Sequence, residues 1–283
     1  MAAGRLAWMV RVRLAPCVAQ TSLSSTPSCG AAHFPFIAVR RISLLARLQT
    51  RGLVANITAP ELDQALERSL PQTSVSSRLS SAQSPHSSSK PYLTFYCGFD
   101  PTARSLHIGN LMALVVMAHL RAAGHAAIAV VGGATGRVGD PSGRLRERDA
   151  LGSGVIEGNM QGIAENIARV LRNAENMLMH IPTAEKGVDK GSIPDGAPPP
   201  LVVLNNMDWF ENMGLLTFLR EVGRHSRLGV MLKRDSVRSR LDSEEGLSFC
   251  EFTYQLLQAY DFLHLFDTYG CSLQVSRAPG FAI

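Results

Sequence analysis

The sequence predicts an α/β fold, a parallel sheet with helices packed against it. Short, uniformly apolar runs such as Ala126–Val131 alternate with longer segments of helical period. A strand buried on both faces reads as an unbroken apolar run. The turns after those runs are rich in Gly, Asp and Pro, as in FYCGFDP and VVGGATG.

The elements follow in order. A short helix is expected over roughly 60–70, then PQTSVSSRLSSAQSPHSSSK at 71–90, too rich in Ser to build a core and read as a linker. The folded body is expected from Pro91. Leu93–Cys97 reads as a strand, Ser105–Ala123 as a helix stopped by Gly124, and Ala126–Val131 as a second strand. Glu157–His180 carries Met160, Ile163, Ile167, Val170, Leu171 and Leu178, close to a 3.6 period. PTAEKGVDKGSIPDGAPPP is a long loop. Leu201–Leu204 is a third strand, followed by helices at Leu215–Val222, Arg227–Leu241 and Phe249–Tyr269, the last stopped by Gly270. Leu273–Val275 begins a fourth strand, too short to cover one side of the sheet. Strands separated by helices imply parallel crossovers, and ligands then bind beyond the carboxyl ends of the strands.

Composition narrows the function. The chain has 283 residues, 46% hydrophobic and 18% charged, with no run of about 18 uncharged apolar residues to span a membrane. The net charge of +5 is concentrated at one end. Residues 1–60 hold seven Arg and no Asp, Glu or Lys; the remainder has 21 basic against 23 acidic residues. The charge is therefore weak evidence for a nucleic-acid patch. An Arg- and Ser-rich, acid-free N-terminus with apolar stretches reads as a mitochondrial transit peptide over 1–59, which places the protein in the matrix. Five scattered cysteines show no C-x-x-C or Cys/His spacing, so no structural metal is expected.

Three motifs carry chemistry. FYCGFDPTARSLHIGNL joins strand to helix with Gly98, Asp100, Thr102, His107 and Asn110; His107 and Asn110 share one side of a helix N-terminus, which favours phosphate. VGGATGRVGDPSGRLRER has Gly132 and Gly133 for close backbone approach, Asp140 in a turn, and Arg144, Arg146 and Arg148. A carboxylate beside a cation cluster suits a zwitterion next to a polyphosphate. The Walker A and dinucleotide glycine patterns are missing. In SFCEFTYQLLQAYDF, Tyr254, Gln258 and Asp261 form a polar stripe on an otherwise apolar helix. Such a stripe needs partners when buried, from the protein itself or from a small polar ligand.

Together, YCGFDPTA-x-SLHIG, GGATG-x-x-GDPSG and F-x-Y-x-x-LQAYDF resemble the bacterial and mitochondrial tyrosine–tRNA ligases, class I aminoacyl-tRNA synthetases, over about residues 91–275. The resemblance implies a Rossmann-like (HUP-type) catalytic domain, incomplete at the C-terminus, and a ligase that makes tyrosyl-adenylate from tyrosine and ATP with Mg²⁺, then transfers tyrosine to tRNA. It implies that Tyr96 and Asp261 read the substrate phenol and that Asp140, Tyr254 and Gln258 hold its ammonium group, with Asn206 of LNNMDW lining the pocket. Cys97, Gly98, Asp100 and Gly109 would border the ATP site, Thr102, His107 and Asn110 would meet the phosphates, and Arg144 and Arg148 the departing pyrophosphate. Leu215–Val222 resembles the family's dimer contact, within about 213–240.

The sequence departs from the family at Asn110, where His is usual, at Arg104, where Asp is usual, and after Val275. There the family continues into Gly-Gly-Ser-Asp-Gln, but this chain has SRAPGFAI over 276–283. A shortened isoform or an incorrectly ended gene is the expectation, without the later nucleotide and tRNA-binding parts. Two other readings are the tryptophan enzyme and a non-catalytic chain that dimerises with the full-length ligase. The Tyr96/Asp261 pair argues against the tryptophan enzyme, because an indole needs a single N–H acceptor.

Overall fold

The computed structural model describes residues 8–12, 43–68, 92–142, 152–180 and 199–277. Six strands form one sheet: β1 (Trp8–Val12), β2 (Val54–Ile57), β3 (Thr94–Phe99), β4 (Ala126–Val131), β5 (Val202–Asn205) and β6 (Cys271–Arg277). Their spatial order is β2-β1-β6-β3-β4-β5. All neighbours run parallel except β1 and β2. The helices between them are α1 (Leu44–Thr50), α2 (Leu62–Arg68), α3 (Ile108–Ala122), α4 (Thr135–Val138), α5 (Ser153–His180), α6 (Met207–Phe210), α7 (Leu215–Glu221), α8 (Leu228–Met231), α9 (Asp235–Leu241) and α10 (Phe249–Tyr269).

The parallel α/β sheet expected from the sequence is present. From β3 the chain steps outward to β4 and β5, then returns to lay β6 on the other side of β3. The strand order thus reverses between β3 and β6, and a crevice opens where their carboxyl ends part.

Alternate residues of the strands serve opposite faces. Phe95, Cys97, Phe99, Ala127, Ala129 and Val131 pack with α3 and α5 through Leu114, Met117, Ile163, Ile167 and Leu171. Tyr96, Ile128 and Val130 face a smaller cluster with Leu265 of α10. Arg121 of α3 is buried and ties α5 through Glu175, and it donates to the Pro199 carbonyl at 2.8 Å.

Several expectations change. Residues 43–68 belong to the folded body, upstream of the expected start at Pro91, because Leu45, Leu48, Leu53, Val54, Leu62 and Leu66 are buried in the same core as β3. β1 also lies inside the stretch read as a leader, and it pairs with β6. β6 runs seven residues rather than three and has a neighbour on each edge, so that side of the sheet is covered. The helix expected over Arg227–Leu241 breaks into α8 and α9 around Leu232–Arg234. The first crossover helix starts at Ile108 rather than Ser105, because His107 caps it. α10 keeps its expected bounds: the Ser248 hydroxyl accepts from the Glu251 N–H, and Gly270 closes the helix at φ 67°.

Candidate active site

The crevice at the β3/β6 reversal is a cleft of about 550 Å³. It is bordered by the carboxyl ends of β3 and β6, the 100–110 loop, the turn after β4, the α8–α9 link and one side of α10. Of the residues singled out from the sequence, it collects Tyr96, Cys97, Gly98, Asp100, Thr102, His107, Gly109, Asn110, Asp140, Asn206, Tyr254, Gln258 and Asp261. Arg144 and Arg148 lie outside the described residues.

One hydrogen-bonded chain runs along the cleft floor. The Tyr254 hydroxyl donates to Asp100 Oδ2 at 2.8 Å, and the Thr135 hydroxyl donates to Asp100 Oδ1 at 2.8 Å. Asn206 is fully buried; its Nδ2 donates to Thr135 Oγ1 and to Asp261 Oδ2, each at 3.1 Å. Its Oδ1 accepts from the Ala134 N–H at 2.7 Å. The Trp209 indole N–H donates to Asp261 Oδ1 at 2.9 Å. Four segments separated by tens of residues therefore fix two carboxylates in one floor.

The Tyr96 hydroxyl on that floor is poised rather than satisfied. Tyr96 is 2% exposed, and its hydroxyl has no hydrogen-bond partner among the described residues. Burial pushes that phenol well above its ordinary pKa, and the neighbouring Asp261 pushes it further. Burial also pushes the Asp261 carboxyl up to about 7, against the downward pull of the Asn206 and Trp209 hydrogen bonds. A buried donor without a partner costs about 1–3 kcal/mol, which a ligand hydroxyl would recover. Tyr254 is likewise held protonated, by burial and by Asp100 and Asp140.

The glycines after β4 serve the protein's own polar groups. A side chain at Gly132 would collide with Asp100 Oδ1 and Thr135 Oγ1, and one at Gly133 with the Asn205 amide. At the other end of the cleft, His107 Nδ1 accepts from the Gly109 N–H at 3.0 Å and Asn110 Oδ1 accepts from the His107 N–H at 3.2 Å, a reciprocal cap on α3. The two side chains expected to meet phosphate thus also shape the helix N-terminus. Cys97 contributes its thiol to the apolar core beside Phe95 and Phe99, where burial pushes it up to about 12.

Sequence reasoning missed Thr135, Trp209, Asn159 and Gln274. Asn159 of α5 donates to the Pro101 carbonyl at 3.1 Å, and Gly162 leaves room for the Arg104 carbonyl, so α5 pins the loop that carries Asp100 and Thr102. Gln274 is buried on the cleft side of β6. Thr135 sits inside the quoted motif GGATG, Trp209 inside LNNMDW and Gln274 inside the expected strand Leu273–Val275, but nothing in their spacing marks them as partners.

Residues 88–275 match the family of class I tRNA synthetases for tryptophan and tyrosine (W and Y). The chain is 48% identical over 182 residues to the mitochondrial tyrosine–tRNA ligase of Drosophila melanogaster, covering 64% of this chain and 37% of that protein. It is 44% identical over 238 residues to the chloroplastic/mitochondrial tyrosine–tRNA ligase of Arabidopsis thaliana, covering 84% and 39%. The structure of a C-terminally truncated Aspergillus nidulans mitochondrial tyrosyl-tRNA synthetase superposes with a TM-score of 0.64 at 31% identity, covering 84% of this chain and 57% of that one. The chain therefore spans well under half the length of the two sequence relatives.

Proposed function

The chain belongs to the class I tRNA synthetases of the tryptophan and tyrosine family, and on that premise we propose that it activates L-tyrosine with ATP for transfer to tRNA(Tyr), in the mitochondrial matrix. The observation that carries the tyrosine reading is the pairing of the unpartnered, buried Tyr96 hydroxyl with Asp261 on the cleft floor. A ligand phenol can donate to the carboxylate and accept from Tyr96, which satisfies both. A phenyl ring would leave the Tyr96 hydroxyl buried and unpaired, and the open acceptor sites of Asp261 unused. An indole can donate its N–H but cannot accept from Tyr96.

The rest of the cleft fits an amino acid beside a nucleotide. Asp140, Tyr254 and Gln258 supply oxygen acceptors for the ammonium group, with Asp100 behind Tyr254. Thr102, His107 and Asn110 surround the α3 N-terminus, whose partial positive charge suits the ATP phosphates. Mg²⁺ arrives with ATP as part of the nucleotide substrate. The tyrosine carboxylate attacks the α-phosphate, the bond to pyrophosphate breaks, and pyrophosphate leaves with the displaced negative charge. That step needs positioning and charge stabilisation rather than a protein nucleophile. Arg144 and Arg148 are proposed to meet the departing pyrophosphate.

The acid-free N-terminus and the organelle names of the relatives support a mitochondrial address. Exposed apolar side chains at Leu215 (71%), Leu216 (80%), Leu228 and Val230 support a homodimer through about residues 213–240. Tyrosine-dependent exchange of labelled pyrophosphate into ATP tests the proposal. Exchange that requires tyrosine, and that Asp261→Asn removes, is expected. Exchange driven equally by phenylalanine or tryptophan would overturn it.

A further inference from the structure

Residues 100–107, between the end of β3 at Phe99 and the start of α3 at Ile108, belong to neither strand nor helix. They carry Asp100, Thr102 and His107 to the cleft. Backbone outside a regular ladder must find its hydrogen bonds elsewhere. The Asp100 side chain is held by the Thr135 and Tyr254 hydroxyls, and its carbonyl accepts from the Thr102 N–H at 2.8 Å. Pro101, between them, is buried and gripped from two sides. Its ring lies against Gly136 of α4, where a Cβ would come within 2.7 Å of Pro101 Cδ. Its carbonyl accepts from Asn159 Nδ2 of α5 at 3.1 Å, and Asn159 is 8% exposed. A buried amide is costly unless it is bonded, and this one is committed to the loop. Nearly one turn along α5, Gly162 meets the Arg104 carbonyl with no room for a side chain. Asn159 and Gly162 are i, i+3, so one face of α5 bears on both ends of the 101–104 bend. Thr102 lies between the two contacts, half-buried at the cleft.

We propose that Asn159 is a positioning residue for the nucleotide half of the reaction: by holding the Pro101 carbonyl, with Gly162 seated against Arg104, it sets where the Thr102 hydroxyl meets the ATP phosphates. The role rests on the reading of the cleft as a site for tyrosine and ATP. The groups read as tyrosine contacts stand on other elements: Tyr96 on β3, and Tyr254, Gln258 and Asp261 on α10. The α5 clamp therefore governs the phosphate side of the cleft and leaves tyrosine affinity in place. A misplaced Thr102 slows the step in which the α-phosphate changes partners, because that step depends on positioning.

The experiment compares the intact chain with Asn159→Ala, Gly162→Ala and Gly158→Ala. Gly158 lies on the same helix with open space where a Cβ would go, so its replacement changes helix propensity alone. Backbone ¹⁵N order parameters of residues 102–106 are read in the ligand-free chain, pyrophosphate exchange at saturating tyrosine and ATP, and tyrosine affinity by equilibrium dialysis. Asn159→Ala is expected to lower the order parameters from about 0.85 toward 0.6. Asn159→Ala and Gly162→Ala are each expected to slow exchange about tenfold, within the range that misplacing a reacting group costs, with tyrosine affinity held. Gly158→Ala is expected to match the unaltered chain. Added to Thr102→Ala, Asn159→Ala is expected to slow exchange no further, because both act through one hydroxyl. A merely structural role would weaken tyrosine binding together with exchange and add to the Thr102→Ala loss; either result overturns the proposal. If the unaltered chain exchanges no pyrophosphate, the functional reading fails. The ligand-free order parameters then still decide whether Asn159 holds the loop, and unchanged values overturn the proposal.

Discussion

On the α3–α5 side of the sheet, Phe95, Cys97, Phe99, Ala127, Ala129 and Val131 meet Leu114, Met117, Ile163 and Ile167 in a continuous apolar layer. On the α10 side, the residues between them, Tyr96, Ile128 and Val130, meet a floor that includes Asn206, Asp261 and Trp209. The same strands thus supply packing on one face and recognition on the other, because side chains alternate. The apolar face gains stability in proportion to area removed from water. The recognition face gives some of that up: it buries a carboxylate and leaves the Tyr96 hydroxyl unpartnered among the described residues.

The first way to break this contrast is at the frame of the recognition face. Arg240 of α9 and Glu251 of α10 are 1% and 3% exposed and joined at 2.7 Å. Glu251→Gln leaves a buried guanidinium without its counter-charge and is expected to cost ~3–5 kcal/mol in urea unfolding. The second is on the packing face. Ile167→Ala, at a fully buried site on α5, is expected to cost about 3 kcal/mol while leaving the tyrosine-to-phenylalanine affinity ratio unchanged. A changed ratio would mean the two faces are not separable.

Two titrations sharpen the contrast because they run in opposite directions. His125, buried at the start of β4, is pushed down to about 4 by burial. The unfolded chain takes up that proton first, so stability is lost as pH falls from about 6.5 toward 4, by about 3 kcal/mol; His125→Gln should flatten that loss. Asp261 is pushed up to about 7, so its contribution is present in acid and lost as pH rises from about 4 through 7. Asp261→Asn should therefore raise stability at pH 8, by ~1–2 kcal/mol once the lost carboxylate hydrogen bonds are set against the relieved burial. The same change should abolish tyrosine binding. Denaturation curves across pH check both.

The contrast also separates what was legible in the sequence from what was not. Ala126–Val131 and Phe249–Tyr269 were readable to the residue, because a doubly buried strand has no polar interruption and α10 is closed by Ser248 and Gly270. The polar stripe Tyr254, Gln258 and Asp261 followed from helical spacing. The stripe's partners were not readable: Asn206 lies 55 positions from Asp261 and 71 from Thr135, and Trp209 lies 52 from Asp261. No periodicity links such residues; only the reversal of strand order brings them together. The break between α8 and α9 at Leu232–Arg234 carries no Gly or Pro to announce it. Residues 43–57 were hidden by composition: the absence of acids that suggested a leader says nothing about Leu45, Leu48 and Leu53, which are in the core.

The α10 face of this chain is proposed to assemble a cleft that reads tyrosine. The direct measurement is the thermal unfolding midpoint of the intact chain with saturating tyrosine and, separately, with phenylalanine. A ligand that binds only the folded state at a hundred times its Kd stabilises by about 2.7 kcal/mol, or roughly 5–10 °C for a domain of this size. That rise is expected with tyrosine, and almost none with phenylalanine. A midpoint that tyrosine leaves unmoved, or that both amino acids raise equally, would contradict it.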